Sequence, residues 1–221
     1  MCGRRRERFP DKTVYNYLCD IEWNTPVGQA KATGGDFMCR AEALVAVNGF
    51  NSQVVAGEEP ELSFRWRQQG WQIQRLDEEM TLHDVAMTSW QQWWKRYVRS
   101  GHAYAQGFAM HGGSKEHYNR REVLRILVWS LIIPAVIVLL SLLISPWLLL
   151  LMAVYPLKVL QLTIRYRQRF PAGVAYAYSL SLIAGKFPQL VGIASFYKKQ
   201  WLKQNFEIIE YKQASSSAKL K

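Results

Sequence analysis

Polar and apolar positions alternate differently in the two halves of the chain. Residues 1–30 are polar and aromatic, with no clear periodicity. An extended segment is predicted around residues 32–38, carrying the pair Gly34-Gly35. Residues 40–47 read as a short helix that stops at Asn48-Gly49, since both residues tolerate left-handed backbone angles. The next helix is better signalled. Pro60 suits a first helical turn, where its missing N–H costs nothing. Glu58, Glu59 and Glu61 put negative charge at the positive end of the helix dipole. Gly70 is placed to end this helix, and the residues from Trp71 to Ile73 then alternate as in a short strand.

A third helix is predicted over 90–105. Thr88 and Gln91 have capping-box spacing before it. Trp90, Trp93, Trp94, Tyr97, Val98 and Ala105 form its apolar face, and Gln92, Lys95, Arg96 and Arg99 the polar one. So many tryptophans suit either a membrane interface or burial against the N-terminal domain. Residues 124–144 are then nearly free of charge, over about the 20 residues that cross roughly 30 Å of hydrocarbon. Ser145-Pro146 breaks the run, and residues 147–164 make a second one, interrupted by Pro156 and Lys158. The two predict a transmembrane hairpin. In residues 172–197 the apolar pattern is interrupted by Lys186, Pro188 and Gln189, which reads as an interfacial segment or one packed on the hairpin. The chain thus divides into a soluble domain (1–122), the hairpin (123–164), a membrane-associated helical segment (165–212) and a small, polar tail (213–221) expected to be disordered.

Charge narrows the partners. The formal net charge is +11 and the pI about 9.7, which calls for an anionic partner. Arg4, Arg5, Arg6 and Arg8 open the chain. Lys115, Arg120, Arg121 and Arg125 precede the apolar runs, Arg165, Arg167 and Arg169 follow them, and Lys198, Lys199, Lys203 and Lys212 lie near the end. Basic flanks on both sides of an apolar segment mark the cytoplasmic face of a membrane. A membrane is therefore the expected partner and nucleic acid is not; the soluble part is expected in the cytoplasm, anchored to the cell (inner) membrane by a multi-pass region. A nucleic-acid module would leave the hairpin and the acidic helix start unexplained. Cys2, Cys19 and Cys39 are odd in number and fit no metal-ligand spacing, so reduced intracellular thiols are expected. No apolar stretch follows the first arginines as in a cleavable signal peptide.

The densest chemistry is the acidic run. Three carboxylates in four positions repel one another, which tends to raise one pKa and suits a general base. The same residues also read simply as charges that stabilise a helix N-terminus. The stretch Ala56-Gly57-Glu58-Glu59-Pro60-Glu61-Leu62-Ser63-Phe64-Arg65-Trp66-Arg67-Gln68-Gln69-Gly70-Trp71 resembles the acidic motif of family 2 glycosyltransferases. That motif is a glycine, an acidic pair, a variable residue, an acidic residue and a leucine, then a basic helix ending in glycine-aromatic. Gly34-Gly35-Asp36-Phe37-Met38-Cys39-Arg40-Ala41-Glu42-Ala43-Leu44, followed by Asn48-Gly49-Phe50, is similar to the acceptor-side segment of the same family. The resemblance covers roughly residues 15–110, with the pieces in the right order and at the right spacing.

The resemblance implies an α/β fold: part of a three-layer α/β/α sandwich of the glycosyltransferase A type, followed by a helical transmembrane region. It implies an inverting enzyme that moves a sugar from a nucleotide-sugar donor to a lipid-linked or cell-envelope glycan acceptor. Glu59 falls at the base that deprotonates the acceptor hydroxyl; most members have aspartate there, so the carboxylate reaches a methylene further. Glu58 would support it. Gly34, Gly35, Asp36 and Glu61 fall to acceptor binding, Glu61 alternatively orienting the helix. Thr81-Leu82-His83-Asp84 stands where enzymes of this fold carry a late histidine. His83 would then ligate a divalent metal (Mg or Mn) or contact the diphosphate, with Asp84 orienting it; a surface histidine beside an aspartate is the plain alternative.

Gln91-Gln92-Trp93-Trp94-Lys95-Arg96 is reminiscent of the glutamine–arginine–tryptophan motif of processive polysaccharide synthases. The order differs and the Arg-Trp pair is absent, so transfer of a single sugar is expected. Lys95, Arg96 and Arg99 would meet a diphosphate or lipid headgroups, or form a solvated helix face. His102, His111 and His117 have no ligand spacing and receive no role. The metal-binding Asp-x-Asp of the family's donor half has no counterpart, since Asp11, Asp20 and Asp36 stand apart. The chain is therefore expected to be the acceptor half of a longer enzyme, with little or no activity alone and an open, hydrophobic sheet edge. The alternative is a non-catalytic membrane-bound fragment or partner.

Overall fold

The computed structural model describes residues 1–204; Lys212 and the tail expected at 213–221 lie outside the described residues. The fold is mixed α/β. A three-stranded sheet is assembled in the order β1-β3-β2 from β1 (Cys2–Glu7), β2 (Gly28–Ala30) and β3 (Ile73–His83). β1 runs parallel to β3, from Cys2 opposite Arg75 to Glu7 opposite His83, and β2 pairs antiparallel with the start of β3. Parallel strands need a long crossover. Here it contains α1 (Val14–Trp23), which packs on β1, then β2, α2 (Ala41–Ala46) and α3 (Glu58–Gln68).

β1 and α1 arise where the sequence shows no periodicity, and the reason lies in the arginines. Arg4 pairs with Asp77 at 3.2 Å, Arg5 with Asp36 at 3.3 Å and Arg6 with Asp20 at 2.8 Å. Residues that look solvated are thus neutralised across the strand by acids distant in sequence. Glu7 is buried, and its carboxylate accepts hydrogen bonds from Val85 N, Asn16 Nδ2 and Phe9 N at 3.0–3.2 Å. These arginines make the edge strand polar, contrary to the hydrophobic edge expected, and a charged edge resists pairing with other chains. The extended segment expected at 32–38 appears as a single bridge from Phe37 to Cys2.

The helices read from sequence are present. α2 stops at Asn48 and Gly49, both left-handed at φ 56° and 67°. α3 is entered through Gly57 (φ 80°) and left through Gly70 (φ 82°), so both glycines occupy backbone that other residues adopt only with strain. Leu62 and Trp66 of α3 pack with Ala43 and Val47 of α2, Cys2 and Ile73 in one core, and Trp66 Nε1 donates to Ala43 O at 2.8 Å.

α4 (Trp90–His111) runs past the expected end at residue 105. Its capping box is Ser89 with Gln92, not Thr88 with Gln91. The Gln92 side chain folds back to accept from Thr88 N and Ser89 N, which buries a residue expected on the polar face.

Among the described residues, three helical stretches are long and apolar enough to cross a membrane: Arg120–Leu143, Pro146–Tyr166 and Ala172–Trp201. The first two form the expected hairpin about residues 144–146. The first comprises α5 (Arg120–Leu127), a π turn (Val128–Ile132) and α6 (Ile133–Leu143). Pro134 has no N–H to offer Ser130 O, a common origin of such a widened turn. The second comprises a 3₁₀ stretch (Pro146–Ala153) and α7 (Val154–Tyr166), and the third α8 (Ala172–Ala184) and α9 (Lys186–Trp201). α9 packs mainly on α4 and α5, and α8 on α7 and α1, so this segment joins the domain as well as the hairpin.

Candidate active site

Glu59 occupies the second position of α3, immediately after the left-handed entry at Gly57. Its carboxylate faces Gly35: a Cβ there would lie 3.3 Å from Glu59 Oε1. Gly34 is packed more tightly, since its Cβ would stand 2.4 Å from a guanidinium nitrogen of Arg5. The glycine pair thus lets the 34–36 turn approach both the acidic helix start and β1. Arg5 completes the arrangement by reaching Asp36 at 3.3 Å and lying over the Trp23 ring at 5.7 Å. The Trp23 ring meets His83 edge-on, with centroids 5.1 Å apart.

A continuous row of contacts therefore runs from Glu59 past the Gly35 backbone, Asp36, Arg5 and Trp23 to His83. Four of the sequence-derived positions, Gly34, Gly35, Asp36 and Glu59, converge, and His83 stands at the far end. The sequence does not mark Arg5 and Trp23 as part of this site, because Arg5 stands in a basic run and nothing in the 15–30 stretch signals Trp23. The Asp36 side chain is only 4% exposed, and its Oδ2 has no hydrogen-bond partner among the described residues. A buried carboxylate oxygen left unpaired is unfavourable, and a ligand hydroxyl or cation would relieve it.

Glu61 turns the other way. Its side chain is 2% exposed and accepts from Arg65 Nε at 2.9 and 3.0 Å and from the same guanidinium's terminal nitrogen at 2.9 Å. His111 Nε2 lies 2.8 Å from its other side, and Arg65 also donates to Val47 O. Burial pushes the Glu61 carboxyl up, but the hydrogen bonds and charges of His111 and Arg65 outweigh it and hold the group below the usual carboxylate range. The sequence predicts that crowding raises one of the three carboxyls; at Glu61 the opposing effect is burial, and the clamp outweighs it. Of its two expected roles, this position fits orientation of the helix. His111, assigned nothing from sequence, is part of that clamp.

Among the cationic residues, Arg96 is tied to Glu22 of α1 at 2.7 Å, and Tyr97 Oη donates to the same carboxylate at 3.2 Å. Burial works against the Arg96 charge, but Glu22 outweighs it and keeps the guanidinium protonated. Arg96 therefore joins α4 to α1, in place of the solvated helix face or the headgroup contact expected from the sequence. Lys95 is exposed and Arg99 half-buried.

No group of three or more His, Cys, Asp or Glu among the described residues forms a metal site. These residues do not build a metal centre by themselves. No family model, curated protein or solved structure matches the chain.

Proposed function

We propose that this chain is the acceptor-side and membrane-anchoring portion of an inverting glycosyltransferase of family 2, with the glycosyltransferase A type of sandwich. The observation that carries the reading is the approach of Glu59 to Gly35 at the start of α3, beside the buried Asp36 whose Oδ2 is unpaired among the described residues. The resemblance in sequence named these residues, and their proximity supports it. Glu59 takes the proton of an acceptor hydroxyl. The resulting oxygen forms a bond to the anomeric carbon of the donor sugar, whose bond to the diphosphate breaks. The nucleoside diphosphate leaves with that electron pair, and the configuration inverts. Gly35, having no Cβ, lets the Glu59 carboxylate lie against the 34–36 turn, and Asp36 accepts one of the acceptor's hydroxyls.

The donor is a nucleotide sugar, and the acceptor is a lipid-linked or cell-envelope glycan presented at the inner membrane, with the sheet domain on the cytoplasmic side. On this reading the strands that bind the donor lie outside these residues. A divalent metal, Mg or Mn, would be held with the donor diphosphate, His83 supplying one ligand at most. The test is sugar transfer in membranes carrying the complete protein, read as label from nucleotide sugars entering the lipid and glycan fractions. Glu59→Gln is expected to lower transfer by about 10²–10⁴-fold while leaving membrane insertion unchanged. Unaltered transfer rejects the assignment, and absence of transfer by the unsubstituted protein favours the non-catalytic reading.

A further inference from the structure

The third apolar stretch, Ala172–Trp201, meets the length and hydropathy of a membrane span, but its neighbours put it elsewhere. Near its start, the Tyr178 ring meets Tyr166 at 4.9 Å and Phe170 at 6.1 Å, at the end of α7. Near its other end, Ile193 and Phe196 share a core with Val123 and Ile126 of α5 and Ala105 of α4. In between, Phe187 meets Tyr155 at 6.0 Å. The end of α7 and the start of α5 are the two basic ends of the hairpin, flanked by Arg165 and Arg167 and by Arg120 and Arg121. They lie on the same side of whatever the hairpin crosses, away from its turn at residues 144–146. A helix that crossed beside the hairpin would have one end at that turn. This one bridges the two basic ends.

Its inner face is fixed to the sheet domain. Cβ atoms on Gly101 and Gly192 would lie 2.0 Å from Gln189 O and 2.1 Å from Val98 O, so α4 and α9 touch backbone to backbone. Ser181 Oγ accepts from Trp93 Nε1 at 3.1 Å and pairs with Tyr97 Oη at 2.9 Å. A crossing would carry α4, with Lys95, Arg96 and Arg99, toward hydrocarbon, where charge is disfavoured. The outer face is apolar: Tyr176, Leu180, Phe187, Val191 and Trp201 are 54, 43, 39, 49 and 83% exposed. At 100° per residue they fall on one stripe, flanked by Arg167 and Arg169 before it and Lys198 and Lys199 at its end.

We propose that Ala172–Trp201 lies in the plane of the membrane surface with this stripe in lipid, so that two of the three apolar stretches of the described residues cross and residues 202–204 stay on the side of the sheet domain. An outward apolar stripe with aromatics and basic flanks fits an anionic lipid surface, and large apolar side chains of the hairpin are exposed as well. The helix fixes the height of the sheet domain above the lipid, whichever reaction that domain performs.

Cys39 is the exposed native thiol, while Cys2 and Cys19 are buried, which supplies a reference for sidedness. The full chain carrying Cys39→Ser and Gln204→Cys is labelled with a membrane-impermeant maleimide in vesicles of both orientations. Labelling in the same orientation as native Cys39 is the expected result, and labelling in the opposite orientation overturns the proposal. A nitroxide on Val191→Cys in the same background tests the occupant. Accessibility to oxygen but not to a water-soluble nickel chelate is expected; shielding from both would mean that protein covers the stripe, and would overturn the lipid assignment.

Discussion

Replacing Glu61 with glutamine keeps the shape of the side chain and removes its charge. The carboxylate is 2% exposed and is held by Arg65 and His111, while the Arg65 side chain is 20% exposed. Breaking a buried ion pair from one side destabilises by about 3–5 kcal/mol. Arg65 is one-fifth exposed and keeps Val47 O as a partner, so the expected loss is smaller, about 2–3 kcal/mol. Denaturant unfolding of the detergent-purified protein, followed by the near-ultraviolet signal of its tryptophans, measures it. The pH dependence gives a second readout. The Glu61 carboxyl is held below its ordinary value of 4.5, so the unfolded chain binds this proton more readily than the folded one. Its contribution is therefore complete above about pH 4.5 and declines as pH falls through the lower, folded value. Glu61→Gln should remove that part of the acid sensitivity. A loss below about 0.5 kcal/mol, with an unchanged acid profile, would refute the clamp.

Four further outcomes follow from the same contacts. Gly35→Ala places a methyl 3.3 Å from Glu59 Oε1 and should lower sugar transfer by about tenfold with little change in stability; equal loss of both would make it a folding defect. A double-mutant cycle on Glu22→Gln and Arg96→Met should give a coupling of about 1–2 kcal/mol, and additive effects would deny the α1–α4 tie. Ser89→Ala removes the α4 cap and should cost about 1 kcal/mol, whereas Thr88→Ala should cost less, as measured by thermal unfolding. Gly192→Ala puts a Cβ against Val98 O and should destabilise by about 1–3 kcal/mol, while Gly173→Ala, in open space, should not.

The elements that the sequence signalled are those whose cause is local. α3 is bounded by glycines in left-handed backbone and carries its acids in its first turn, so both ends are legible without the rest of the fold. The hairpin is legible for a similar reason: its apolar runs and Ser145-Pro146 are contiguous. β1 is different. Its arginines make sense only once Asp77, Asp36 and Asp20 are beside them, and those partners are set by tertiary contact. The same holds at the candidate site. Glu59, Gly35 and Asp36 belong to short motifs, whereas Arg5 and Trp23 join them only through the sheet and α1. Periodicity puts Gln92 and Arg96 on a polar helix face, but a capping box and a carboxylate on α1 draw both inward.

The central claim, that Glu59 is the base of a sugar transfer, is tested most directly by the transfer rate of Glu59→Gln beside Glu59→Asp in membranes carrying the complete protein. A loss of about 10²–10⁴-fold is expected for glutamine and a much smaller loss for aspartate, which keeps the carboxylate on a shorter arm. Wild-type transfer by Glu59→Gln, with the chain still inserted in the membrane, would contradict it.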